Sequence, residues 1–195
     1  MLRNKALLGS ITAVVLLLAA TVAMAQNLTG TSVPDTLNGT AQTDNINGLA
    51  GDDRINGLGG ADILRGSDGR DIINGEDDCP SGSTSGGSPY YCIPGTSGKD
   101  QIFGGRGRDT INGNGKGDRI SGQSGADLID GGSGGDNITG GSGTDRVLGG
   151  SGADRIHVRD GRRDSVDCGS GRDRVSADRK DIVASNCERV RRRSA

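Results

Sequence analysis

Along most of the chain an aliphatic residue stands two places after an aspartate, and the pair returns every nine residues. The first run is Asp35 with Leu37, Asp44 with Ile46, Asp53 with Ile55, Asp62 with Leu64 and Asp71 with Ile73. After a gap it resumes as Asp100 with Ile102, Asp109 with Ile111, Asp118 with Ile120, Asp127 with Ile129, Asp136 with Ile138, Asp145 with Val147 and Asp154 with Ile156. One aliphatic between two mostly polar neighbours predicts strands of only three residues, with the aliphatic turned inward. A period that keeps its length implies one structural unit stacked on copies of itself.

Glycines fill the intervals. From Gly122 onward the phrases read GQSGADLID, GGSGGDNIT, GGSGTDRVL and GGSGADRIH. They resemble the calcium-binding nonapeptide of the repeats-in-toxin (RTX, haemolysin-type) family, G-G-x-G-x-D-x-U-x with U a large aliphatic. Gly131, Gly132, Gly134, Asp136 and Ile138 meet that pattern at every defined position. The resemblance implies an all-β chain folded as a right-handed parallel β-roll, a β-solenoid in which two nonapeptides make one turn and calcium sits between turns.

The residue types suit that chemistry. Glycine opens left-handed and extended conformations that let a tight loop aim carbonyl oxygens at one point. Calcium takes six to eight hard oxygen ligands, which carboxylates and carbonyls together supply. The candidate ligands are Asp44, Asp53, Asp62, Asp71, Asp100, Asp109, Asp118, Asp127, Asp136, Asp145 and Asp154, holding several Ca2+ ions. In a roll of this kind strands two repeats apart are neighbours, so each ion is expected between such repeats, for example between Asp53 and Asp71, Asp109 and Asp127, or Asp136 and Asp154. Val33 and Gln42 stand where the fourth-position glycine belongs, so weak or absent metal sites are expected at that edge. Lys116 breaks the same position later on, and its ammonium would repel an ion unless it points outward.

Between Asp71 and Asp100 lies an excursion of about 20 residues (76–95), rich in Ser, Gly and Pro, with Cys79 and Cys92 near its ends. A disulfide there would close the neck and let Asp100 follow Asp71 as the next rung. Tyr90 and Tyr91 are expected to pack against it. Beyond Asp154 the phrase decays, and Cys168 and Cys187 lie 19 residues apart, close to one full turn. Neighbouring rungs of a parallel roll, about 4.8 Å apart, fall within disulfide reach, so of the three possible pairings Cys79 with Cys92 and Cys168 with Cys187 are favoured. The organisation expected is a signal peptide (1–25), a calcium-binding roll (26–157), degenerate repeats with a disulfide cap (158–190) and a basic tail (191–195), read as a solvated, frayed terminus.

Composition sharpens this picture. Of 195 residues 37 are glycine, aromatics make 2% and hydrophobics 31%, too little apolar bulk for an ordinary globular core. Of the 25 acidic residues all but Glu76 and Glu188 are aspartate. The shorter acid suits a carboxylate that turns back onto its own loop. The net charge of −2 conceals an acidic roll followed by a basic C-terminal part. Clustered carboxylates need cations to neutralise them, so the calcium-free chain is expected to resist compaction.

Arg3 and Lys5, the uncharged run Ala6 to Ala20 and Ala23-Met24-Ala25 read as a secretory leader with its cleavage site, an uncleaved anchor being the alternative. Toxins of the family leave by a C-terminal signal, so the leader departs from that pattern. With an even cysteine count it predicts a secreted, extracellular bacterial protein with no membrane span after cleavage. Catalysis has little to work with: the one histidine, His157, falls on an outward position, and the Gly131–Gly135 match to G-x-S-x-G lies inside a repeat turn with no base nearby. Two function classes remain, a secreted calcium-binding structural module and a recognition module for an extracellular polysaccharide or cell surface. The outward strand residues lack an aromatic ladder, which ranks the structural class first. No nucleic-acid partner is expected.

Overall fold

The structure, a computed structural model, describes residues 24–75 and 98–193. Before the excursion it contains β1 (Asn27–Thr29), β2 (Thr36–Asn38), β3 (Asn45–Ala50), β4 (Arg54–Asn56), β5 (Ile63–Asp68) and β6 (Ile72–Asn74). After it come β7 (Gln101–Arg106), β8 (Thr110–Asn112), β9 (Arg119–Ser124), β10 (Leu128–Asp130), β11 (Asn137–Ser142) and β12 (Arg146–Leu148). The C-terminal part adds β13 (Ser151–Gly152), β14 (Arg155–His157), β15 (Ser165–Asp167), β16 (Ser170–Gly171), β17 (Arg174–Ala177), β18 (Ile182–Val183) and β19 (Arg189–Arg192). Among the described residues there is no helix.

Apart from β13 and β16, which pair with each other, alternate strands go to opposite walls. One sheet has nine strands in the order β1-β3-β5-β7-β9-β11-β14-β17-β19, and the other has eight, β2-β4-β6-β8-β10-β12-β15-β18. Every pairing is parallel, with Ile46 opposite Leu64, Ile55 opposite Ile73 and Ile138 opposite Ile156. The chain is therefore a parallel β-roll, as the family resemblance implied. The inward aliphatics from Ile46 to Ile156 form the core between the walls, each at most 1% exposed. No other source of apolar burial runs the length of the roll, so burying one aliphatic per repeat sets the register: a one-residue slip would turn every one of them to water.

The excursion leaves the stack uninterrupted. β5 pairs directly with β7, placing Leu64 opposite Ile102, and β6 pairs with β8, placing Ile73 opposite Ile111. The proposed Cys79–Cys92 bridge, Tyr90 and Tyr91 lie outside the described residues. Because the rungs on either side already meet, excising 76–95 to restore the nine-residue spacing is expected to leave the thermal midpoint of the calcium-loaded protein within a few degrees of the parent, as calorimetry would show.

The walls differ in strand length. The second sheet has strands of two or three residues, as expected, but β3, β5, β7, β9 and β11 run to six. Identical turns stack in register, so residues just past the strand also pair, Leu49 with Ser67 and Gly141 with Gln123. On the outer face of the second sheet Asn38, Asn56, Asn74 and Asn112 form a ladder whose amides donate to the preceding carbonyl at 2.7, 2.8 and 2.9 Å. Phe103 lies on the first sheet with the Arg65 guanidinium 5.6 Å from its ring centre.

Towards the C-terminus the register lengthens by one residue, with Val147 opposite Val166 and Ile156 opposite Val175. First-position glycines give way to Val158, Cys168 and Ala177, all 0% exposed, whose side chains extend the core where repeats decay. Cys168 and Cys187 are bonded across adjacent rungs with their Cα atoms 5.3 Å apart. The basic segment departs from the frayed tail expected of it. Arg191 and Arg192 belong to β19, opposite Ser176 and Ala177, and the Arg192 Nη1 donates to the carbonyls of Asp178 (3.1 Å) and Asp181 (3.0 Å).

Candidate metal centre

The aspartate of each repeat ends its turn, and its backbone N–H points along the stack. That N–H donates to the carboxylate of the aspartate one rung further on. Asp53 N–H reaches Asp71 Oδ1 at 2.9 Å, Asp109 reaches Asp127 at 3.0 Å, and Asp136 reaches Asp154 at 2.8 Å. The same bond joins Asp44 to Asp62, Asp62 to Asp100, Asp71 to Asp109, Asp100 to Asp118, Asp118 to Asp136 and Asp127 to Asp145. Two columns of carboxylates result, one at each edge of the roll, and every residue from Asp44 to Asp154 in them is at most 2% exposed. The pairs expected to share an ion are thus direct neighbours.

Only one oxygen of each carboxylate is used in this way. In Asp53, Asp71, Asp100, Asp109, Asp127, Asp136, Asp145 and Asp154 the other, Oδ2, is buried and has no hydrogen-bond partner. Gly131 shows what holds it there: a Cβ on that glycine would come within 2.6 Å of both Asp136 Oδ2 and the Gly149 carbonyl oxygen. On Gly104 it would come within 2.6 Å of Asp109 Oδ2 and 2.7 Å of the Gly122 carbonyl. First-position glycine therefore leaves a cradle facing a carboxylate oxygen of its own repeat and a carbonyl oxygen one rung on.

Burial without a counter-charge is costly for a carboxylate. Loss of water is the main cause that pushes the pKa of Asp71, Asp100 and Asp136 up to about 6 and of Asp127 up to about 7, against an ordinary 3.8. The N–H bonds pull the other way but do not cancel it. Asp53, Asp109, Asp145 and Asp154 are also raised, again chiefly by burial. Among the described residues no three Asp, Glu, His or Cys side chains converge on one point. A cation here would draw its ligands from both carboxylates and main-chain carbonyls, the donor set that a hard ion such as calcium accepts. The orphaned oxygens and the glycine cradles fit that ion.

The N-terminal edge is different. Asp35 Oδ2 accepts from Thr31 N–H at 2.6 Å, and Asp44 Oδ2 accepts from the N–H and hydroxyl of Thr40. Elsewhere the second position adopts positive φ, 77° at Leu49 and 73° at Gln123. A β-branched threonine avoids that region, and its N–H turns onto the carboxylate instead. Asp44 is thereby placed in the column with its second oxygen already engaged. At the other end, sequence reasoning passed over Asp164 and Asp173. Both are at most 1% exposed, with Oδ1 bonded from Asp145 and Asp154 and Oδ2 without a partner. Asp164-Ser-Val166 and Asp173-Arg-Val175 keep the aspartate–aliphatic spacing, the signal that could have found them. Burial and neighbouring carboxylates raise Asp164 to about 7. Glu188 ends the column by accepting from Asp173 N–H at 2.9 Å. Lys116, with φ of 68°, is exposed. Asp44→Asn is expected to leave the number of bound calcium ions unchanged, whereas Asp127→Asn lowers it, counted by calorimetric titration.

A parallel roll with buried carboxylates stacked one per repeat over glycine cradles defines a class, the ion-binding β-solenoids. Within it the chain belongs to the RTX calcium-binding nonapeptide repeat family, whose four-copy pattern matches residues 29–64, 56–78, 94–129, 112–147, 121–156 and 130–164. Repeats of this family bind calcium. No curated protein matches the chain.

Proposed function

We propose that this is a secreted, non-catalytic protein in which several calcium ions, held between successive turns, drive the chain to fold. The observation that carries the reading is the set of buried, partnerless Oδ2 atoms on Asp53, Asp71, Asp100, Asp109, Asp127, Asp136, Asp145 and Asp154. Asp53, Asp62, Asp71, Asp100, Asp109, Asp118, Asp127, Asp136, Asp145 and Asp154 would supply carboxylates, and the glycine turns would supply carbonyls. The ion supplies positive charge at each rung, and ligands that converge only in the folded roll make binding and folding one event. The leader-like pattern of Arg3, Lys5 and Ala23-Met24-Ala25, together with the Cys168–Cys187 disulfide, supports an oxidising, extracellular setting. Millimolar calcium is the level that extracellular modules are tuned to.

Far-ultraviolet circular dichroism of the purified chain in chelator, then in calcium or magnesium, tests this. A β signal that appears with calcium and hardly at all with magnesium, which demands a small octahedral shell, is expected. A full β signal at neutral pH in chelator would overturn the reading.

A further inference from the structure

The outer face of the first sheet changes character towards its C-terminal end. Across β9, β11, β14, β17 and β19 one column reads Arg119, Asn137, Arg155, Arg174 and Arg189 in register. The column beside it reads Ser121, Thr139, His157, Ser176 and Arg191. All the arginines are exposed, and neither column holds a carboxylate, Phe, Tyr or Trp.

Sheet stability does not account for this. Like charges directly opposite one another weaken a sheet, yet Arg155, Arg174 and Arg189 occupy three successive rungs with no acid on the face to pair with them. Protection of an open edge explains the arginines of β19. It does not explain Arg119, Arg155 or Arg174, which lie on interior strands of the sheet.

We propose that this face binds a linear acidic polysaccharide, its carboxylates seated on the Arg155–Arg174–Arg189 column and its hydroxyls on Asn137, Thr139 and Ser176. The guanidinium fork takes a carboxylate by two parallel hydrogen bonds. Amide and hydroxyl side chains both donate and accept, as sugar hydroxyls require. Rungs repeat at about 4.8 Å, close to the advance of one pyranose along its chain, so successive arginines meet successive sugars. Nucleic acid fits less well, because single strands are held by aromatic stacking and a duplex groove is read by an inserted helix or ribbon. The face needs the roll folded but not any particular cause of its folding, so it goes beyond the calcium reading.

The full chain in fixed calcium, with its β signal verified, is titrated calorimetrically with a hexa-uronate too short to form calcium gels. A neutral hexasaccharide of the same linkage and a single-stranded oligonucleotide of equal charge serve as the other arms. The hexa-uronate is expected to bind, more weakly as salt is added. The double variant Arg155→Gln/Arg174→Gln should lose roughly tenfold or more in affinity while melting no lower than the parent, since it removes opposed like charges. Arg54→Gln/Arg146→Gln on the second sheet should bind as the parent does. Absent binding, unchanged affinity in the first double variant, equal binding of the neutral sugar, or tighter binding of the oligonucleotide would each overturn the proposal.

Discussion

Alanine at Gly125 is expected to destabilise the calcium-loaded roll by on the order of 3 kcal/mol or more. Gly125 holds the fourth position of its repeat with φ at 151°, a conformation that side chains rarely adopt. Its Cβ would also collide with the carbonyl oxygen of Gly107, the equivalent residue one rung below. Neither atom can step aside, because Gly125 N–H is bonded to Ser142 and Gly107 N–H to Ser124 in the same stacked turns. Gly135 provides the contrast. It stands at the fifth position, where Ala126 and Ala153 occur in other repeats, and its nearest obstacle would be the Ala153 carbonyl oxygen at 3.4 Å. Gly135→Ala should fall within about 0.5 kcal/mol of the parent. Thermal melts of both variants in saturating calcium check the pair; equal midpoints would mean that the fourth-position turn is not fixed as described.

Without calcium, stability should fall as pH rises from about 4 towards 8. Asp71, Asp100 and Asp136 titrate at about 6 in the roll and Asp127 and Asp164 at about 7, against 3.8 for the ordinary carboxyl. A group whose folded pKa lies above its unfolded one makes the folded state bind more protons. Its contribution is then fully present below the unfolded pKa and is lost as pH climbs through the folded one. Because the same change recurs along both columns, the effect accumulates. In chelator the β signal should persist to higher temperature near pH 5 than near pH 8. Saturating calcium should reverse the order, since protons compete with the ion for the same oxygens. A chelated chain more stable at the higher pH would contradict the burial argument.

Much of the architecture was legible because few residues determine it. The inward aliphatics, the direct step from Leu64 to Ile102 across the excursion and the Cys168–Cys187 bridge all follow from spacing in a parallel stack. What escaped notice has physical reasons. Asp164 and Asp173 lie among repeats whose first-position glycines are replaced by Val158, Cys168 and Ala177, yet the column rests on backbone N–H groups that any residue carries. Gln42 marked the Asp44 repeat as degenerate, but the feature that engages the second oxygen of Asp44 is the φ restriction on Thr40, two residues earlier, which the repeat pattern does not single out. The six-residue strands of the first sheet come from stacking of turns, which no single repeat displays. The ordering of Arg191 and Arg192 depends on Ser176 and Ala177, which lie about a turn earlier in the chain.

The central claim is that calcium binding and folding are one event. Bound calcium and far-ultraviolet ellipticity followed in a single titration of the chelated protein at neutral pH test it most directly. The two curves should coincide and rise cooperatively, because an ion between turns needs ligands that only the stacked chain brings together. Calcium taken up with no change in ellipticity would show a roll already formed without it, and would contradict the account.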